Sequence, residues 1–217
     1  MKFAWSFSAL STYRQCAKKY FHLRVAKDVK DDDSQFAGEG KLIHDALKKR
    51  VIGDVALPIE LRHLEKMAAK LANARGEKRG ELQLAINADF EPVDWFAKDA
   101  WCRAIIDLLI LPKPDTALII DYKTGKRKDE FEQLKLCAAV LSAFMPEIEH
   151  FKLVYLWTKS RQMTPPLVME KHHMQGVWSD VMPQLDEIAA AMRTTSFPAT
   201  QSPLCGWCPV KQCPHHP

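Results

Sequence analysis

Two apolar runs dominate the middle of the chain. They are WCRAIIDLLIL at 101–111 and ALIIDYK at 117–123, joined by five turn-forming residues, PKPDT. So short a joint between apolar runs predicts a β-hairpin. HFKLVYLWT at 150–158 and residues 166–171 predict further strands, and 81–90 alternates in part. Elsewhere the period is helical. Leu10, Tyr13, Tyr20 and Phe21 give 6–25 an apolar face, with Ser8 or Ser11 as its cap. Leu42, Ile43, Ala46 and Leu47 stripe 39–51, and Gly53 and Pro58 break the pattern. Leu61, Leu64, Met67, Ala68 and Leu71 predict a helix over 59–75, ended by the Gly-flanked basic turn RGEKRG at 75–80. Helices are also predicted over 129–144 and 174–193, the second burying Val177, Val181, Leu185, Ile188 and Met192. Residues 196–217 are rich in Pro, Cys and His, and nothing in the chain repeats. The pattern predicts one α/β domain over 1–217, with a helical elaboration at 39–75 and a Cys-rich cap.

Composition narrows the class. At 217 residues, 47% hydrophobic and 27% charged, the chain has a globular make-up that excludes disorder or a collagen-like repeat for most of its length. No eighteen-residue apolar run is present, so no membrane-spanning helix is expected. Polar residues interrupt the N-terminal stretch throughout and no long apolar h-region is present, unlike a secretory signal, and a cytoplasmic location is expected. A net charge of +4 and a pI near 8.7 permit a polyanionic partner without requiring one. The acidic run at 31–33 reads as a solvated loop.

Chemistry enters where carboxylates interrupt apolar strands. Asp107 sits in AIIDLLIL and Asp121 in LIIDYKTGK. An ionised carboxylate in a buried strand is costly unless paired or metal-bound. Lys123 follows Asp121 by two residues, so the strand period turns both to one face and Tyr122 to the other. Two carboxylates and an ammonium at one strand end suit metal-assisted hydrolysis with Mg²⁺ or Mn²⁺. The alternative is a buried salt bridge of Asp107 or Asp121 with Lys123 or Arg103. His44 shares a helix face with Gly40, one turn before it, which would let that face approach another backbone closely. A purely structural histidine is the alternative there. Candidate phosphate contacts are Arg75, Lys78 and Arg79 in the basic turn, and Lys126, Arg127 and Lys128 just after the hairpin. Trp5, Phe7 and Tyr13 are candidates for base stacking or for the core.

Of six cysteines, Cys102 and Cys137 lie in apolar stretches and read as buried hydrophobes. Cys205, Cys208 and Cys213 fall within nine residues of a tail too short for its own core, a metal signal. Cys16 would complete a Cys₄ set for a 4Fe–4S cluster. His215 or His216 would instead complete a Cys₃His zinc site.

GEGKLIH, AIIDLLIL, IIDYKTGK and Gln133 in FEQLKLCAAVL occur in the order and spacing of the RecB-like branch of the PD-(D/E)XK nuclease superfamily. FSALSTYRQCAKKYF resembles that branch's opening helix, and CGWCPVKQCP its closing cysteine cluster. The resemblance covers nearly the whole chain, which is similar to the iron–sulfur nucleases of AddB type and of CRISPR adaptation, and to stand-alone phage exonucleases. It implies a restriction-endonuclease-like α/β core, a mixed sheet over 81–171 flanked by helices. It also implies a motif helix and arch over 39–80, and a cap of 196–217 stapled to the N-terminal helix through Cys16. His44, Asp107, Asp121 and the Tyr122 carbonyl would bind the metal. Lys123 would be catalytic, and Gln133 would match the glutamine of a Q-x-x-x-Y motif. That motif's tyrosine position is Cys137 here, and Glu81 falls near a further acidic position of the family. The implied activity is a DNA exonuclease acting on single strands or ends. Its alternatives are an end-trimming nuclease working with partners, or a non-catalytic subunit of the same fold. No helicase P-loop is present, so unwinding would fall to a helicase, recombinase or integrase partner.

Overall fold

The computed structural model describes residues 4–30, 35–128 and 130–217, so the acidic run at 31–33 lies outside the described residues. The chain opens with α1 (Phe7–Gln15), α2 (Ala17–Tyr20) and a π turn (Phe21–Ala26). α3 (Gln35–Gly53), a 3₁₀ turn (Ile59–Leu64) and α4 (Glu65–Ala72) follow. The sheet strands are β1 (Glu77–Ile86), β2 (Pro92–Val93), β3 (Cys102–Lys113), β4 (Thr116–Lys123), β5 (His150–Trp157), β6 (Gln162–Met163) and β7 (Leu167–Glu170). α5 (Glu132–Phe144) crosses from β4 to β5, and α6 (Met174–Thr194) leads into the tail. The strand order is β2-β1-β3-β4-β5-β6, with β7 also on β5. Only β4 and β5 run parallel; the other pairs are antiparallel. This is the mixed α/β core of a restriction-endonuclease-like fold, a mostly antiparallel sheet between helices.

Each sheet face buries its own cluster. On one, α1, α5 and α6 cover Ile106, Leu109, Ile119, Leu153 and Tyr155. On the other, Ile43, Leu47 and Val51 of α3 and Ala68 and Leu71 of α4 cover Leu108, Ile110, Ile120 and Tyr122. Leu57 and Leu64 join this second cluster, so much of the 54–80 segment lies down on the sheet. Leu42 departs from the expected stripe and is 70% exposed. Met192 likewise leaves the buried face of α6, while Val177, Val181, Leu185 and Ile188 keep it.

The basic turn is shorter than the charge pattern suggests. It is over by Gly76, at φ +115°, where an added Cβ would lie 2.1 Å from the Leu111 carbonyl oxygen. Lys78 and Arg79 already pair with Ile110 and Leu109 in the sheet. The N-terminal helix is also not continuous. Ser6, the last extended residue, caps α1 by accepting from the Ala9 amide; Ser8 and Ser11 lie inside the helix. The helix then breaks at Cys16, whose backbone is extended. The tail runs alongside this break: the Lys18 amide donates to the Pro198 carbonyl at 3.2 Å.

Candidate active site

The hairpin register fixes the two carboxylates. Leu108 pairs with Ile120, so one further step sets Asp107 across from Asp121, but the backbone ladder ends there. In its place Asp107 Oδ2 accepts from the Tyr122 amide at 2.8 Å. The side-chain alternation of β3 also changes phase at this residue. Ala104 and Ile106 face the α5 side, Leu108 and Ile110 the α3 side. The β1 residue in register with Asp107 is Glu81, which holds φ +49°, a left-handed conformation unfavourable for a residue with a Cβ. The sheet therefore bends where β3 parts from β4, and the two aspartates flank the opening.

The remaining side chains converge from three elements. β4 brings Lys123, whose Nζ is 2.8 Å from Asp121 Oδ2. Gln133, in the first turn of α5, closes a ring with both. Its Oε1 accepts from Lys123 Nζ at 2.8 Å and its Nε2 donates to Asp121 Oδ1 at 2.8 Å. His44 reaches over from α3, with Nδ1 3.3 Å from Asp107 Oδ1 and its ring edge-on to Tyr122. Gly40 needs no close approach: a Cβ there would meet Thr124 Oγ1 at an ordinary 3.6 Å.

The electrostatics follow from burial. Desolvation, then the charge of Asp107, pushes the Asp121 carboxyl up to about 6, against the pull of Lys123. Burial alone would depress His44. Its hydrogen bond to Asp107, the charges of Asp107 and Asp121, and the Tyr122 backbone outweigh that and raise it. Asp121 Oδ2 is buried and, although close to Lys123, makes no aligned hydrogen bond. The contact is thus an ion pair that leaves an acceptor lone pair unfilled. Among the described residues, no three His, Cys, Asp or Glu side chains converge at metal-binding distance. The carboxylates are instead turned onto Lys123, His44 and the Tyr122 amide.

Other expectations fare differently. Arg103 takes no part in a salt bridge with the aspartates; its Nε donates to the Trp95 carbonyl at 2.9 Å. Glu81 pairs with Lys48. Cys137 is buried one turn beyond Gln133, with Sγ 3.7 Å from the Ile105 carbonyl oxygen. Cys102 is buried too. Lys78 Nζ bonds the Ala74 and Gly76 carbonyls, and Arg79 pairs with Glu77, both towards the hairpin tip. Arg75 is exposed, as are Lys126, Arg127 and Lys128 where the chain leaves β4. Trp5 is core, Tyr13 packs on Tyr20, and Phe7 lines a cavity.

Tyr155 is the site residue that sequence reasoning missed. It pairs in register with Asp121, holds its ring 5.4 Å from Lys123 Nζ, and donates its hydroxyl to the Glu130 carbonyl at 2.9 Å. The only sequence signal is a tyrosine in an apolar run, and strand register cannot be read from that.

At the far end of α1, Cys16, Cys205, Cys208 and Cys213 all line one cavity of about 200 Å³, together with His216. Thr200 N donates to Cys16 Sγ and Ser202 N to Cys205 Sγ, each at 3.4 Å. His215 does not line it, and His216 Nε2 lies 3.2 Å from Lys211 Nζ.

A bent sheet presenting D-x-K from a hairpin, beside a helix-borne histidine and glutamine, defines a nuclease-type core. Residues 4–214 match the PD-(D/E)XK nuclease superfamily, and the chain belongs to it. Membership implies a nuclease, with DNA as the substrate the fold suggests, and nucleases of this superfamily generally use Mg²⁺ or Mn²⁺. One similar solved structure, titled "Crystal structure of SSO0001", is 12% identical over 96% of this chain and 86% of that one, with a TM-score of 0.48. No protein with a curated description matches the chain. No helix among the described residues is long and apolar enough to cross a membrane.

Proposed function

We propose that the protein is a Mg²⁺- or Mn²⁺-dependent deoxyribonuclease that acts as an exonuclease on single strands or DNA ends, in recombination, repair or phage DNA metabolism. The observation that carries this is the closed ring of Asp121, Gln133 and Lys123 beside the His44–Asp107 pair. A ring that fixes an ammonium against a buried carboxylate is an expensive arrangement for packing alone. His44, Asp107, Asp121 and the Tyr122 carbonyl would hold the cation. The unfilled lone pair of Asp121 Oδ2 supports that fit. When bound, the cation supplies Lewis acidity at a phosphoryl oxygen and acidifies a water.

The protein's own groups do the rest. Lys123 lies beside the carboxylates, where it orients the attacking water and offsets charge developing on the phosphoryl oxygens. Gln133 fixes both partners of that pair from one amide. Tyr155 backs the ammonium with its ring face.

The four cysteines hold a 4Fe–4S cluster on this reading. What supports four ligands is that Cys16 and the three tail cysteines all line one cavity. The cluster's role is structural, tying the tail to the break in the first helix.

The test uses anaerobically purified protein, end-labelled single- and double-stranded DNA, and Mg²⁺ or Mn²⁺ with a chelator control. Metal-dependent degradation is expected, reduced by about a hundredfold or more in Lys123→Ala. Product ladders then give polarity, and iron and acid-labile sulfide are measured on the same sample. Cluster-loaded wild type that binds DNA and never cuts it would overturn the assignment.

A further inference from the structure

A second cavity, of about 740 Å³, opens beside the ring and shares Gln133 with it. Its walls come from Ser6, Phe7 and Ser8 at the start of α1, Arg24 and Lys27 after the π turn, and Trp95, Arg103 and Ile105. Three cations face it, and none of its described lining residues is Asp or Glu. Among the described residues, Arg24 and Lys27 have no carboxylate partner, and Arg103 spends only Nε on the Trp95 carbonyl. The Arg103 guanidinium lies over the Trp95 ring, 5.6 Å from its centroid, which leaves both Nη groups to donate.

The direction of the cavity is set by β3. Arg103, Ile105 and Asp107 alternate onto one side of the strand, and Ile105 is 45% exposed there. Asp107 lies four residues further along the strand from Arg103, about 13 Å, so the cavity wall runs towards the carboxylates without including them. Cations spaced along a trough that also offers ring faces are the features of a single-strand platform. The cations track phosphates, and the rings stack bases whatever the sequence.

We infer that this trough is the binding track for the single-stranded DNA that leads into the hydrolytic site. Trp95 and Arg103 form its base-stacking platform, and Arg24 and Lys27 its phosphate contacts. The inference rests on the proposed nuclease reading; it narrows the substrate to single strands and names the residues that would bind them. None of these residues was among the sequence-based DNA contacts, because a lone Trp or Arg in a loop or strand carries no signal until the fold brings them together.

The experiment titrates fluorescein-labelled oligo-dT of two to twelve nucleotides into the cluster-loaded protein without added metal, by anisotropy, at several salt concentrations. Cleavage of the same strands with Mn²⁺ is followed separately. Trp95→Ala is expected to weaken the twelve-mer about tenfold, with a deficit that shrinks as the strand becomes too short to reach the platform. Trp95→Phe should restore most of the loss. Arg24→Ala/Lys27→Ala, at exposed positions, should lower the slope of log K against log salt by about 1.4 for two lost phosphate contacts. That double variant decides the matter alone if Trp95→Ala fails to fold. Unchanged affinity and salt slope, or a wild type with no affinity for the twelve-mer, would overturn the track. Cutting by wild type with silent variants refutes the track and keeps the nuclease. Length-dependent loss of binding with no cutting in any sample keeps the track and refutes the nuclease.

Discussion

Replacing Gln133 by alanine isolates the ring from the rest of the site. The substitution removes two hydrogen bonds of 2.8 Å, one from the Lys123 ammonium and one to the Asp121 carboxylate. Hydrogen bonds to charged groups contribute about 1.5–3 kcal/mol each, so the pair is worth roughly 3–6 kcal/mol at most. Water entering the space left by the side chain recovers part of that. Loss of about 2 kcal/mol in the transition state then corresponds to roughly a thirtyfold fall in kcat. Asp121 and Lys123 remain in contact, so activity should fall without vanishing. Gln133→Glu sharpens the test. It keeps an acceptor for Lys123 but sets a second negative charge against a buried carboxylate, and it should cost at least as much as alanine. The assay is steady-state cleavage of end-labelled single-stranded DNA in Mn²⁺, with thermal unfolding as the control for folding. A Gln133→Ala enzyme whose kcat stays within twofold of wild type would refute the claim that the ring organises the site.

Three further outcomes follow from other contacts. Tyr155→Phe keeps the ring over Lys123 and loses only the bond to Glu130, whereas Tyr155→Leu loses the cation–π contact; kcat should be near wild type in the first and about threefold to tenfold lower in the second. Cys16→Ala should strip iron from purified protein, measured by absorbance and metal analysis, and lower the midpoint of thermal unfolding; full iron retention would remove Cys16 from the ligand set. Gly76→Ala forces a Cβ into the Leu111 carbonyl at a left-handed φ and should destabilise the fold by about 2 kcal/mol or more in urea titration, because Ala is incompatible with that backbone.

What the sequence disclosed, and what it withheld, has a consistent physical basis. Asp107, Asp121 and Lys123 were legible because a charge within an apolar strand is conspicuous and a period of two fixes its face. His44 and Gln133 were legible only beside the family's motif order, since a helix places them without saying what they meet. Tyr155 was hidden because the parallel register of β4 and β5 is set by the α5 crossover, not by local pattern. The break at Cys16 was hidden because the residues around it all suit a helix; it becomes intelligible only with the tail's backbone donating to Cys16 Sγ. Lys78 and Arg79 were misplaced into a loop because charge was weighed above pairing, although the turn ends at Gly76 and β1 begins at Glu77.

The bulge near the hairpin tip has a consequence for how the site tolerates change. Between Ile110 and Lys113 the register shifts by one, so β3 already accommodates an unmatched residue there. The alignment of Asp107 with Asp121 is set on the near side of that irregularity, by the pairs from Leu108 to Ile110. Lengthening or shortening the turn therefore acts on a segment uncoupled from the carboxylates. The hairpin tip can diverge, or accept a grafted loop, while the distance between the two carboxylates stays as it is.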